Sequence, residues 1–203
     1  MPIFPTTISG KIEYALNLKE QGNQAFRDGN LKEALRFYGK VFAFTRGLPG
    51  ATFDSKTNDG GFGGGFDTSN FIGEGVVRCT HEEQARCVEL ELAVENNMAT
   101  IFLKQKNGPK TILHGERAVK RGPENWKAHL RLGEGKALVK DWEGSLRSLN
   151  PALQFAPTTS KDVIKHEIDR VSSHLKQENA LLEAKQRKSM AGVFERMAAA
   201  GDA

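Results

Sequence analysis

The chain has 203 residues, of which 38% are hydrophobic, and a formal net charge of +4. This length suits a single domain with its own hydrophobic core. No apolar run approaches the ~20 residues that a membrane-spanning helix needs, and the first ten residues, MPIFPTTISG, lack the charged start and apolar stretch of a signal peptide. We therefore expect no membrane partner and a cytoplasmic location.

The distribution of charge and the number of cysteines exclude further classes of protein. The 29 lysines and arginines are interspersed with 25 acidic residues instead of forming one basic tract, which argues against a nucleic-acid partner and suits a receptor for a short acidic peptide. Cys79 and Cys87 are too few for a disulfide framework, so we expect reduced thiols. With His81 they lack a fourth ligand and a zinc-type spacing, so we expect no metal and expect Cys87 to pack as a small apolar residue.

The N-terminal part of the chain reads as a helical hairpin. Residues 1–10 form a lead-in, and Ser9 is the candidate N-cap of a helix that extends to Asp28. Gly29-Asn30 then turns the chain, and a second helix is predicted from Leu31 to about Arg46.

Residues 47–80 break the helical pattern. They carry the glycine-rich run DGGFGGGFDTSNF, which predicts a mobile insertion because glycine loses the most backbone entropy on ordering. The run lacks the Lys-Ser or Lys-Thr pair of a phosphate-binding loop. Its phenylalanines suggest that the insertion docks onto the helices or into their groove; they are Phe53, Phe62, Phe66 and Phe71.

Helical periodicity resumes at about His81, and a partner helix is predicted over Pro109–Arg121. This partner helix carries the small residues Thr111 and Gly115 where the other hairpins have Ala34 or Ser145 and Tyr38 or Leu149. Small residues at a helix crossing predict either a closer approach of the helices or a weaker second hairpin.

Residues 124–158 form the clearest hairpin, with two helices that meet at Lys140-Asp141. Apolar or small residues return every three or four positions in both helices, namely Trp126, Leu130, Gly133 and Ala137, then Trp142, Leu146, Leu149 and Leu153. A hairpin of this size cannot bury two such faces alone, so it needs neighbouring copies. From Lys161 onward one long helix is predicted, with its apolar face formed by Ile164, Ile168, Val171, Leu175 and Leu182.

The copies exist. Pro123 and Pro157 lie 34 positions apart, and Gly22, Asn30, Leu31 and Phe42 match Gly133, Asp141, Trp142 and Leu153. A helical hairpin of 34 residues with glycine at the first helix crossing and proline at its end resembles the tetratricopeptide repeat. The resemblance implies an all-α solenoid of three tetratricopeptide repeats, with repeat 1 at 11–46, repeat 2 at 81–123, repeat 3 at 124–158 and a capping C-terminal helix at 159–203.

Polar side chains are predicted to converge on the inner helices of this solenoid. Lys19 and Asn23 are four residues apart and share a helix face, as do Lys127 and Arg131, while Asn97 occupies the slot of Arg131 one repeat earlier. A C-terminal residue such as Asp presents two carboxylates, which lysine and arginine attract by charge and asparagine orients by its amide.

The motifs Lys-Glu-x-Gly-Asn, then Asn97, then Lys-x-x-x-Arg resemble the two-carboxylate clamp of chaperone-binding tetratricopeptide domains, found in large immunophilins and adaptor co-chaperones. The resemblance implies that these five residues hold the C-terminal Glu-Glu-Val-Asp of the cytosolic seventy- or ninety-kilodalton heat-shock chaperone. It also implies that Phe26 lines a pocket for the valine and that Thr100 and Lys104 flank it. Since the predicted helices account for most of these 203 residues, we do not expect the isomerase domain of an immunophilin within them. The long insertion after the first repeat instead resembles the small family called tetratricopeptide repeat protein 9.

The last helix carries two interpretations. The segment KQRKSMAGVFERMA, residues 185–198, places basic residues before an apolar face and has the look of a calmodulin target. It also suits a helix that only caps the solenoid.

We therefore expect a monomeric, non-enzymatic co-chaperone or adaptor without a cofactor. No Ser-His-Asp or Cys-His arrangement is visible. The alternative is an interaction scaffold that recognises a different partner through the groove or through the glycine- and phenylalanine-rich insertion.

Overall fold

The structure is a computed structural model that describes residues 5–46, 48 and 79–201, with side chains placed as far as residue 192. These residues form seven helices: α1 (Ile8–Arg27), α2 (Leu31–Thr45), α3 (His81–Lys104), α4 (Gly108–Arg121), α5 (Trp126–Leu138), α6 (Trp142–Phe155) and α7 (Thr158–Gly201). Helices α1 to α6 pack as three consecutive hairpins, and α7 packs against α6. The architecture is the predicted all-α array. The predictions for the glycine-rich insertion lie outside the described residues.

The three turns within the hairpins share one geometry. The second helix of each hairpin begins at a side-chain N-cap: Asn30 accepts from the backbone of Glu33, Asn107 from Lys110, and Asp141 from Gly144. The residue before each cap has positive φ, at 78° for Gly29, 55° for Lys106 and 64° for Lys140. The predicted equivalence of Asn30 and Asp141 is thus confirmed, and the second repeat follows the same plan.

Glycines set the spacing of the helices. A Cβ on Gly22 would lie 2.5 Å from the Tyr38 ring, and one on Gly133 would lie 2.7 Å from Leu149, so these two glycines occupy equivalent crossings. In the second repeat Gly115 lies against the backbone of Leu132, where a Cβ would be 3.0 Å from Cα. The predicted close approach therefore exists, but it joins α4 to α5 of the next repeat.

The ends of the array differ from the prediction in two places. Helix α1 begins at Ile8 because Thr7 Oγ1 accepts from Gly10 N over 3.2 Å, so the choice of Ser9 as N-cap was wrong and the lead-in is shorter. On α7, Ile164 and Val171 are fully buried, whereas Leu182 is 49% exposed. The buried face of α7 is shorter than predicted, because α7 extends beyond the helix it packs against.

A buried ionic cluster joins α2, α3 and α4. Glu95 is fully buried, and its carboxylate lies 3.2 Å from Arg46 Nη2, 2.6 Å from His114 Nδ1 and 3.7 Å from Arg121 Nη1. Glu91 accepts from Thr45 Oγ1 at 2.6 Å and from Arg121 Nε at 2.8 Å. Since Thr45 and Arg46 end the first repeat and the acids belong to the second, this cluster ties together the two repeats that the insertion separates. The sequence analysis did not find it.

The two cysteines are buried in one apolar cluster with Ile12 and Leu48. Burial raises the pKa of the Cys87 thiol to about 11, so it stays protonated, and the predicted packing role of Cys87 is confirmed. No group of three or more metal-ligating side chains occurs in the described ranges. None of the helices within them is long and apolar enough to cross a membrane.

Candidate functional site

The first helices of the three repeats lie side by side, with α1 against α3 and α3 against α5. We call the surface that they share the groove, and it carries Asn23, Phe26, Asn97, Thr100 and Arg131. Its centre is a pair of amides: Asn97 Nδ2 donates to Asn23 Oδ1 over 2.9 Å. Two of the predicted site residues, 74 positions apart in sequence, therefore meet directly.

Tyr38 completes this centre. Its hydroxyl donates to Asn23 Oδ1 over 2.8 Å and accepts from Asn97 Nδ2 at 3.3 Å. Burial raises the pKa of Tyr38, so the hydroxyl remains a donor at neutral pH. The ring fits because Gly22 has no side chain at the crossing. The sequence analysis placed Tyr38 at the core position equivalent to Leu149 and missed its polar role. The hydroxyl group of Tyr38 was the only sequence signal for that role.

An acidic side chain already contacts the groove. Asn23 Nδ2 donates to Glu20 Oε2 over 3.0 Å, and Glu20 Oε1 lies 3.0 Å from Arg27 Nη2. The hydrogen bond from Arg27 lowers the pKa of Glu20, which keeps this carboxylate ionised. The site therefore offers an amide and a guanidinium to a carboxylate, although this one belongs to the chain itself. Neither Glu20 nor Arg27 was among the predicted site residues.

Arg131 is held from two sides. Its Nε donates to Thr100 Oγ1 over 3.1 Å, and its Nη1 lies 2.5 Å from Glu134 Oε2. Burial raises the pKa of Glu134, and the nearby Arg131 opposes that shift. Thr100 was predicted to flank a peptide, but here it contacts another predicted site residue.

A small pocket lies beside the amide pair. Its volume is about 190 Å³, and its lining comprises Asn23, Phe26, Arg27, Tyr38, Asn97 and Thr100. Lys104 Nζ lies 4.3 Å from the centre of the Phe26 ring, a cation–π distance. Phe26 thus lines a cavity of side-chain size, and Lys104 covers its ring.

Among the described residues, no hydrogen bond or ion pair joins Lys19 or Lys127 to the other predicted site residues. Each lies one helical turn before a groove residue, Lys19 before Asn23 and Lys127 before Arg131. Lys127 is exposed, with Nζ 5.6 Å from the Trp126 ring centre. Neither lysine forms an ion pair within the described part of the chain, so both ammonium groups are available to an anionic ligand.

The candidate calmodulin segment is only partly described. Lys185, Arg187, Lys188 and Met190 are exposed on α7, and the side chains of Val193, Phe194 and Met197 lie beyond the described ones. The calmodulin interpretation stays a prediction.

Comparison with known proteins identifies the fold. The chain is similar to the C-terminal tetratricopeptide-repeat domain of an FK506-binding protein of Plasmodium falciparum, with a TM-score of 0.66 and 20% identity over 87% of this chain and 98% of that one. The chain folds as a tetratricopeptide-repeat solenoid. It is also similar to the first such domain of Spaghetti (RPAP3), bound to the HSP90 peptide SRMEEVD, with a TM-score of 0.54 and 18% identity over 81% of this chain and 95% of that one. No protein-family model and no curated protein sequence matches the chain.

Proposed function

We propose that the groove binds the C-terminal Glu-Glu-Val-Asp of a cytosolic heat-shock chaperone, of either the seventy- or the ninety-kilodalton class. The chain would act as an adaptor or co-chaperone, with no catalytic step. The observation that carries the proposal is the direct contact of Asn23 with Asn97, flanked one turn away by the ammonium of Lys19. The peptide in the Spaghetti (RPAP3) structure ends in the same four residues, which supports the choice of ligand.

The chemistry of the groove suits a free C-terminus. A C-terminal aspartate presents an α-carboxylate and a β-carboxylate, and Lys19, Lys127 and the Asn23 amide supply charge and directed donors for them. Asn23 already donates to the carboxylate of Glu20 over 3.0 Å, which supports the assignment of its amide to a carboxylate ligand. In this proposal the peptide carboxylate replaces Glu20 at that amide.

The pocket beside the Phe26 ring suits the valine of the tail. A volume of about 190 Å³ beside Phe26 admits a branched aliphatic side chain, and the Asn97 side chain, which also lines the pocket, orients Asn23 through its Nδ2. In this arrangement Arg131 binds one of the two peptide glutamates that precede the valine. The tail is flexible and loses conformational entropy on binding, so we expect a dissociation constant of about 1–10 μM.

Isothermal titration with acetylated Met-Glu-Glu-Val-Asp tests the proposal. We expect binding in the micromolar range to the wild type and a loss of at least about tenfold for Lys127→Ala, because one charge-assisted bond contributes roughly 1.5–3 kcal/mol. Lys32→Ala is the matched control, since Lys32 is an exposed lysine on the second helix of its hairpin. Absence of heat with the wild type, or an equal loss for both variants, would refute the proposal.

The alternative is a scaffold that recognises another partner. It predicts a partner that is retained by the variants Lys19→Ala and Arg131→Ala and lost on deletion of residues 50–75. A pull-down with these three variants separates it from chaperone-tail binding, which the two substitutions weaken and the deletion spares.

A further inference from the structure

Arg131 is less mobile than a surface arginine because its guanidinium has two fixed partners. Thr100 Oγ1 takes the hydrogen of Nε at 3.1 Å, and Glu134 Oε2 takes one from Nη1 at 2.5 Å. The Arg131 side chain is only 28% exposed. The third nitrogen, Nη2, has no hydrogen-bond partner among the described residues.

Thr100 is itself fixed on α3. Its hydroxyl donates to the carbonyl oxygen of Asn96 over 2.8 Å, so its hydrogen is already used and its lone pairs are left to accept. Arg131 Nε, a donor only, matches that requirement. A residue of the second repeat therefore orients an arginine of the third.

Glu134, the second partner of Arg131, is mostly buried. Its side chain is 22% exposed, and the charges of Glu167 and Arg170 on α7 act on it. Arg170 forms two hydrogen bonds with Glu167, at 2.9 Å from Nε and 2.5 Å from Nη2. The ion pair of Glu167 and Arg170 on α7 thus acts electrostatically on the carboxylate that binds Arg131.

We propose that Thr100 and Glu134 are positioning residues that hold Arg131 by Nε and Nη1 and leave Nη2 to bind one acidic side chain of the peptide. The inference rests on the proposed function and deepens it. An arginine that is already ordered loses no rotamer freedom when the peptide arrives, so its contribution to affinity depends on Thr100. Thr100, which also lines the pocket beside Phe26, then has a second role that it exerts through Arg131.

Two substitutions of Thr100 test this role. Thr100→Val keeps the shape and removes the hydroxyl, whereas Thr100→Ser keeps the hydroxyl. By titration with acetylated Met-Glu-Glu-Val-Asp we expect Thr100→Val to weaken binding about 3- to 10-fold, as expected for one immobilised side chain, and Thr100→Ser to bind like the wild type. In an Arg131→Ala background Thr100→Val should have no further effect. Equal affinity of Thr100→Val and wild type, or an undiminished effect without Arg131, would overturn the assignment.

A second readout needs no ligand. The Nε–H of Arg131 should give a slowly exchanging signal in ¹⁵N NMR spectra of the wild type and Thr100→Ser, and the signal should exchange faster in Thr100→Val. If the wild type binds no peptide, the proposed function fails, and this signal still decides whether Thr100 holds Arg131. An Arg131 signal that is unchanged in Thr100→Val contradicts the positioning role even where peptide binding is intact.

Discussion

The amide nitrogen of Asn97 donates to Asn23 Oδ1 over 2.9 Å, although the two residues belong to different repeats. The Tyr38 hydroxyl bridges the same two side chains, at 2.8 Å to Asn23 and 3.3 Å from Asn97. One hydrogen-bonded centre therefore fixes the relative position of α1, α2 and α3, and it lies where the peptide carboxylate is proposed to bind.

Asn97→Asp tests this centre. The new carboxylate would face Asn23 Oδ1 with two acceptors and no donor, and it would also repel an acidic ligand. We expect a loss of about 1–3 kcal/mol in unfolding free energy and a loss of peptide affinity of at least about tenfold. Asn150→Asp, on the exposed face of α6, is the control and should change neither. Equal stability of the two variants in urea would contradict the hydrogen-bond scheme.

Two glycine substitutions test the packing of the first repeat. Gly22→Ala should destabilise the fold by about 1–3 kcal/mol, because the new Cβ would lie 2.5 Å from the Tyr38 ring and would push it off the amide pair. Gly39→Ala should instead stabilise it by about 0.5–1 kcal/mol, since Gly39 lies inside α2 with open space around it. Thermal unfolding of both variants is the measurement, and shifts of the same sign would show that the crossing is not tight.

Glu95→Gln tests the buried ionic cluster. Loss of the negative charge leaves Arg46 and Arg121 without one of their two acids, and we expect about 3–5 kcal/mol of destabilisation. The control is Glu143→Gln: the Glu143–Arg147 pair is separated by 3.9 Å, and both side chains are 70% or more exposed. Loss of the Glu143–Arg147 ion pair should lower the free energy of unfolding by less than about 1 kcal/mol. Comparable denaturant midpoints for the two variants would mean that the cluster does not join the repeats.

Glu134 predicts a dependence of stability on pH. Burial is the main cause of its raised pKa, so the folded state holds this proton more tightly than the unfolded state, whose value is near the ordinary 4.5. The wild type should therefore gain stability relative to Glu134→Gln as the pH falls from neutral towards 4.5, and the gain should reverse as the pH rises. Urea unfolding of both proteins at several pH values gives this difference directly. A difference that is constant, or that shrinks as the pH falls, contradicts the raised pKa.

The 34-residue period predicted the fold because each repeat marks its own boundaries. Asn30 and Asp141 cap equivalent helices, and Gly22 and Gly133 open equivalent crossings, so a local pattern reports a global register. The same register brought Asn23 close to Asn97. The repeat register did not predict the contact between Glu20 and Asn23, because this contact depends on side-chain conformation.

The ionic cluster escaped prediction for a related reason. Glu91 and Glu95 lie on a charged helix where acids are usually solvated, and their burial depends on which helices pack over them. The sequence analysis did not single out Glu134 either, because its burial and its contact with Arg131 depend on the packing of the helices. Leu182 was predicted to belong to a buried face but is exposed. Periodicity identifies the apolar face of a helix but does not show how much of that face a neighbouring helix covers.

The central claim is that the groove binds a free C-terminus, and a comparison of two peptides tests it most directly. Acetylated Met-Glu-Glu-Val-Asp with a free α-carboxylate should bind the wild-type chain with a dissociation constant of about 1–10 μM. The same peptide with an amidated C-terminus should bind at least about tenfold more weakly, because one of the two carboxylates is gone. Equal affinity for the two peptides, or binding of neither, contradicts the account.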